Sequence, residues 1–122
     1  MSGAELPPLV LGPRAMIAEG QTKGFYVEDG GRMSAIFIVR RFGKLYAYHN
    51  RCPHLGTPLE FVDDRFLTAD GRYIICSTHG ALFRVEDGYC LAGPCAGRSL
   101  MPATLECGDD GILRLRRNPS TP

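Results

Sequence analysis

Apolar residues along this chain alternate with polar ones in short runs, and nearly every run ends at a glycine-bearing turn. The period of two is that of half-buried β-strands. It predicts strands over residues 21–27, 33–40 and 45–48, separated by the turns Glu28-Asp29-Gly30-Gly31 and Phe42-Gly43-Lys44. The second of these strands is rich in β-branched and aromatic residues, which favour a pleated surface. Further short strands are expected over 66–68 and 73–76 around Ala69-Asp70-Gly71, and over 82–85 and 89–90 around Glu86-Asp87-Gly88. The last pair, 105–107 and 112–115, flanks Gly108-Asp109-Asp110-Gly111. Pro13 opens a stretch through Gly20 that suits one short helical turn around Met16 and Ile17. Residues 1–12, with Pro7 and Pro8, read as a poorly ordered lead-in, and 118–122 as a frayed tail. No long amphipathic helix is visible. Many short strands joined by close turns give an all-β expectation, an antiparallel sandwich or barrel.

A length of 122 residues suits one domain, here taken as 1–122. Apolar residues make up 44% and charged residues 22%, a globular balance. The formal net charge of +1 argues against dedicated nucleic-acid binding, which needs a basic face. Arg114, Arg116 and Arg117 are read as the solvent side of a terminal strand. No apolar run approaches the roughly 20 residues of a membrane span, so no membrane anchor is expected. Met1-Ser2-Gly3-Ala4-Glu5 does not begin a secretory signal, which makes a cytoplasmic location the expectation. There, thiols stay reduced, and paired cysteines serve metals more often than bridges.

Two boxes carry the candidate chemistry. They read Cys52-Pro53-His54-Leu55-Gly56 and Cys76-Ser77-Thr78-His79-Gly80. Each places a thiol and an imidazole on one short loop, closed by a glycine that permits a tight turn. Zinc and iron both accept this donor set. Zinc sites usually show Cys-x-x-Cys pairs and two histidines about three to five residues apart, whereas each box here mixes one Cys with one His. A Cys–His nucleophile would not explain why the pair occurs twice. His49 falls outside the boxes and is assigned a structural or surface role rather than ligation. Cys90 and Cys95 could bridge across Gly93-Pro94, though buried reduced thiols are the expectation in a reducing compartment. Cys107 is expected in the core, and Tyr46 and Tyr48 as packing residues on one strand face.

The two boxes resemble those of Rieske iron–sulfur proteins, whose pattern is Cys-x-His, a spacer, then Cys-x-x-His. The likeness runs from about Leu45 into the Gly93-Pro94 loop. It implies a Rieske-like antiparallel β-sandwich or barrel with a small cluster-binding subdomain of two loops, about residues 49–96. It implies one [2Fe–2S] cluster per chain, with Cys52 and Cys76 on one iron and His54 and His79 on the other. Leu55, Gly56, Gly80, Phe83 and the Gly93-Pro94 loop would shield it. Two imidazoles in place of two thiolates remove two negative charges. They raise the potential to roughly −150 to +300 mV, against about −400 mV for plant-type ferredoxins.

Departures from the high-potential relatives refine this. Thr57 and Thr78 stand where those proteins carry bridging cysteines, and Ala81 and Phe83 where they carry a serine and a tyrosine that bond the sulfurs. Without those hydroxyls the reduced, more negative cluster is less stabilised, so the low end of the range is expected. The resemblance thus implies a small soluble Rieske-type ferredoxin, taking one electron from a reductase and passing it to a terminal oxygenase or similar acceptor. With two histidines on the cluster, His49 alone cannot build a mononuclear oxygenase iron site, and no catalytic activity is expected from the chain by itself. The alternatives are a small subunit of a nitrite-reductase-like or other oxidoreductase complex, and a zinc-stabilised structural module.

Overall fold

Four consecutive side chains, Ile36, Phe37, Ile38 and Val39, are all fully buried. Strand neighbours point to opposite faces, so such a run requires a sheet covered on both sides. The computed structural model, which describes residues 8–29, 32–53, 59, 64–77 and 80–116, has that arrangement. Its strands are Leu9–Pro13 (β1), Thr22–Asp29 (β2), Arg32–Arg41 (β3), Lys44–His49 (β4), Tyr73–Ile75 (β5), Leu82–Arg84 (β6), Cys90–Ala92 (β7), Leu105–Cys107 (β8) and Ile112–Leu115 (β9). They form three antiparallel sheets, ordered β1-β9-β8, β2-β3-β4 and β5-β6-β7. The fold is therefore nearly all β, as the alternating pattern predicts. Among the described residues no helix is long and apolar enough to cross a membrane.

The β2-β3-β4 sheet is the centre. On one face Ile38 and Ala47 pack with Ile17 and Leu113, supported by Leu11, Phe25 and Leu105. On the other, Phe37, Val39 and Tyr48 pack with Phe66, Ile74, Phe83 and both box cysteines. Phe37 and Phe66 stack with centroids 4.3 Å apart and planes 5° apart. Tyr48 also joins the sheets. Its hydroxyl donates to the Val85 carbonyl at 2.5 Å, just beyond β6. Its ring also lies against the β6–β7 turn, where a Cβ on Gly88 would sit 2.8 Å from Tyr48 Cε1. Burial is the main reason the Tyr48 hydroxyl holds its proton more tightly than a free tyrosine.

Several expectations change. Residues 9–12 are not a loose lead-in: with Pro13 they form β1 and pair with β9, Leu9 opposite Leu115. The proline sits at the strand's end, where its missing N–H costs little. The helical turn is a single 3-10 turn at Arg14–Met16. The strand expected over 66–68 reduces to one bridge, Leu67 to Ile74. The strand at 89–90 starts one residue later and runs to Ala92, Tyr89 making only a bridge to Ser99. Cys107 is exposed rather than in the core. It is the last residue of β8, two residues past Leu105 and opposite Leu113 on β9. The β3–β4 turn is as expected: Phe42 (φ 52°) and Gly43 (φ 75°) are its two central residues, both left-handed, matching the twist of the strands. The tail at 118–122 and the turn glycines Gly30 and Gly31 lie outside the described residues.

Replacing Tyr48 by Phe keeps the ring and removes the hydroxyl, leaving the Val85 carbonyl without this donor. Chemical denaturation should show a loss of about 1–3 kcal/mol. An unchanged midpoint would mean that water reaches the carbonyl.

Candidate metal centre

The first box leaves the central sheet at the end of β4. The Asn50 N–H donates to the Ala35 carbonyl at 2.9 Å, which carries the sheet register one residue past His49. Cys52 follows two residues on, buried. The Asn50 side chain is itself buried, and its carbonyl oxygen accepts the Leu59 N–H at 2.8 Å. That bond closes the loop holding the first box by tying its two ends together. Leu59 is fully buried, which anchors the far end in the core.

The second box is the tip of the β5–β6 hairpin. Beyond the last pair, Ile75 and Leu82, the Cys76 N–H donates to the Ala81 carbonyl at 2.9 Å. The Gly80 N–H turns back to the Cys76 carbonyl at 2.8 Å, with Gly80 at a left-handed φ of 70° that suits glycine. The two loops are stitched together by the Ser77 N–H, which donates to the Leu59 carbonyl at 2.7 Å. A third loop follows β7. Gly93 has φ 103°, and a Cβ there would lie 2.7 Å from Ala81 Cα, so only glycine lets this loop rest on the second box. The Arg98 guanidinium then reaches across to the Pro53 carbonyl at 3.2 Å.

Cys52 and Cys76 thus arrive from different loops in one buried cluster of side chains, with Ala81, Phe83, Cys90 and Cys95. Phe83 is fully buried, paired with Ile74 and Cys90 on the neighbouring strands. Gly80, Gly93 and Pro94 lie at the surface. His54, Leu55, Gly56 and His79 lie outside the described residues, as do Thr57 and Thr78. Among the described residues no three His, Cys, Asp or Glu side chains gather as a metal-ion set. The described donors are two soft sulfurs, shielded from water by apolar neighbours. That chemistry fits one iron of an iron–sulfur cluster.

Cys90 and Cys95 are reduced thiols with their sulfurs 3.2 Å apart, not a bridge. Burial, then hydrogen bonding and charge repulsion from Cys90 and Cys52, push the Cys95 thiol up to about 12. His49 is partly buried, and burial lowers its pKa, favouring the neutral ring. Its backbone N–H donates to the Met101 carbonyl at 2.8 Å. Asn50 and Leu59 escape the motif reading. The only trace they leave in the sequence is an asparagine just after a strand and one leucine between Pro58 and Glu60.

The model of the Rieske [2Fe-2S] domain family matches residues 8–108. The chain belongs to that family. Its cofactor is accordingly a [2Fe–2S] cluster. No curated protein matches the chain by sequence. Among solved structures, this Rieske chain is similar to the ferredoxin of carbazole 1,9a-dioxygenase from Nocardioides aromaticivorans IC177. The TM-score is 0.68 and identity 18%, covering 93% of this chain and 100% of that one. It is similar also to Sphingomonas yanoikuyae B1 ferredoxin, with TM-score 0.66 and 21% identity over 92% of this chain and 100% of that one. A complex of reduced oxygenase and oxidised ferredoxin in carbazole 1,9a-dioxygenase contains a further similar chain, at TM-score 0.66 and 21% identity over 88% and 91% of the two chains. In another complex of the two proteins the chain spans 29% of the length of the one it matches, at TM-score 0.69 and 22% identity. The Rieske fold thus occurs both alone and as part of longer chains.

Asn50→Ala removes the acceptor for the buried Leu59 N–H. It should destabilise the protein by about 1–3 kcal/mol and speed the loss of iron to a chelator. Asn50→Asp, which keeps an acceptor oxygen, should lose iron more slowly than Asn50→Ala. Equal rates of iron release in all three proteins would show that this bond does not hold the box.

Proposed function

We propose that this Rieske chain is a one-electron carrier between a reductase and a terminal oxygenase or similar acceptor. In this reading residues 1–122 form a single domain acting in the cytoplasm. Its cluster-binding subdomain spans about 49–96. Cys52 and Cys76 hold one iron, and His54 and His79 the other. The observation that carries the reading is the placement of Cys52 and Cys76: both buried, on two loops joined through Leu59, beside an exposed Gly93-Pro94 loop. The full-length match to two ferredoxins supports a carrier of stand-alone size.

When bound, the cluster supplies a one-electron couple. The chain's own groups do the rest. Apolar neighbours of Cys52 and Cys76 keep water from the sulfur side. The loop-to-loop bonds hold the donors in place, so little has to move when the charge changes. Leu55, His54, His79 and the Gly93-Pro94 loop form the face offered to partners. Leu91, two residues before Gly93 in sequence, is exposed. Contacts between redox partners are typically small, which suits brief docking.

The loaded protein should take up one electron per chain, with a midpoint in the lower half of the range of roughly −150 to +300 mV. His79→Cys should lower that midpoint, because a thiolate adds negative charge, while His49→Ala should leave the iron content unchanged. Loss of iron on replacing His49 would show that the histidines are misassigned. Size-exclusion chromatography from the native source separates carrier from subunit. The carrier elutes alone, whereas a stable stoichiometric complex would favour a permanent oxidoreductase subunit.

A further inference from the structure

Between Leu91 and Ser99 a single side chain is buried, that of Cys95. It anchors the proline loop to the body of the protein. Its sulfur lies 3.2 Å from that of Cys90, the first residue of β7. Both residues are only 1% exposed. One residue fixes both of their backbones. The Cys90 N–H donates to the Arg98 carbonyl at 2.8 Å, and the Arg98 N–H to the Cys95 carbonyl at 2.9 Å. The two thiols therefore face each other across a loop whose ends are already tied.

Buried cysteines can serve as small packing residues, but packing does not require sulfur to meet sulfur. A metal needs further ligands, and among the described residues no three His, Cys, Asp or Glu side chains gather as a metal-ion set. A disulfide needs only the pair. Its S–S bond is about 2.05 Å long, so the sulfurs have to approach by about 1 Å from where they stand. The bonds given up are weak, a thiol–thiol contact and the one from the Cys90 sulfur to the Ala92 carbonyl.

We infer that Cys90 and Cys95 are a redox-active dithiol, closed to a disulfide by hydrogen peroxide, and that the bridge pins the proline loop onto the second box. The structure holds the reduced form. Burial keeps bulky disulfides away from the pair, whereas peroxide is small. One thiol sulfur attacks peroxide; the O–O bond breaks, a sulfenic acid forms and one water leaves. The second sulfur attacks the sulfenic sulfur; the S–S bond forms, the S–O bond breaks and a second water leaves. The thiols give up two electrons and two protons, which turn one peroxide into two waters. In the reducing compartment proposed above, disulfides are usually transient and redox-sensing. The bridged segment contains Gly93, whose backbone rests on Ala81 just after the second box. The effect on iron, unlike the bridge itself, rests on the cluster assignment above.

The thiol state is read independently of the cluster. The loaded protein is treated with hydrogen peroxide, denatured, alkylated and cut with trypsin. Cleavage after Arg84 and Arg98 gives peptide 85–98, which contains Cys90 and Cys95 and no other cysteine. Mass spectrometry should find it unalkylated and lighter by two hydrogens, and doubly alkylated if a reductant precedes the alkylation. Two alkylated thiols, or two separate sulfinic acids, at peroxide doses that oxidise the exposed Cys107 would overturn the inference. Once peroxide is removed, the iron remaining in the native protein should pass to a chelator about tenfold more slowly than in untreated protein, within what a short covalent ring can restrain. The same treatment should not slow release from Cys95→Ser. Equal slowing in both proteins, or none in the native one, would overturn the pinning. A bridge formed in native protein that holds no [2Fe–2S] cluster would support the dithiol and end the cluster assignment.

Discussion

The Leu59 peptide holds the two boxes together. Its N–H is taken by the Asn50 side chain, its carbonyl by the Ser77 N–H, and its side chain is fully buried. The first bond closes the loop of the first box; the second ties that loop to the second. If the two boxes are to ligate one cluster, as proposed, loops more than twenty residues apart in sequence need such a tie. Loops alone pay an entropic cost to stay together, and ligand geometry tolerates little slack. Burial strengthens the tie, because a peptide group out of water cannot trade its partners for solvent without loss.

The rest of the fold supports that junction. The central β2-β3-β4 sheet is covered on both faces, so it serves as a rigid floor. Asn50 continues directly from that floor through its bond to Ala35. The smaller β5-β6-β7 sheet brings the second box. It is fixed to the floor by Phe37 stacked on Phe66 and by Tyr48, which touches both Val85 and the turn at Gly88. The proline loop rests against Ala81 with no room for a side chain at Gly93. Three loops from three places are therefore held by backbone bonds and tight contacts rather than by exposed ion pairs, which contribute little. A cluster site that changes charge with little change of shape needs that kind of support.

Much of this was legible in the sequence, for local reasons. The two boxes are contiguous strings, and the turns at Phe42-Gly43, Asp70-Gly71 and Glu86-Asp87-Gly88 announce themselves through residues that accept unusual backbone angles. The apolar run of β3 marked a strand, though not that both of its faces are buried. What stayed hidden is non-local. β1 is short and follows two prolines, and only its partner β9, a hundred residues on, makes it a strand. Cys107 looked like core because cysteine usually is; its place at a strand end decides otherwise. Asn50 and Leu59 belong to no motif, since a side-chain carbonyl meeting a distant backbone N–H leaves no periodic trace.

The central claim is that one iron of the cluster is held by two histidine nitrogens and the other by Cys52 and Cys76. Pulsed electron paramagnetic resonance on the dithionite-reduced protein, with nitrogen-15 introduced only in histidine, tests it most directly. The account expects couplings from two histidine nitrogens, one lost in each of His54→Cys and His79→Cys and both retained in His49→Ala. A reduced [2Fe–2S] signal with no histidine coupling would contradict it.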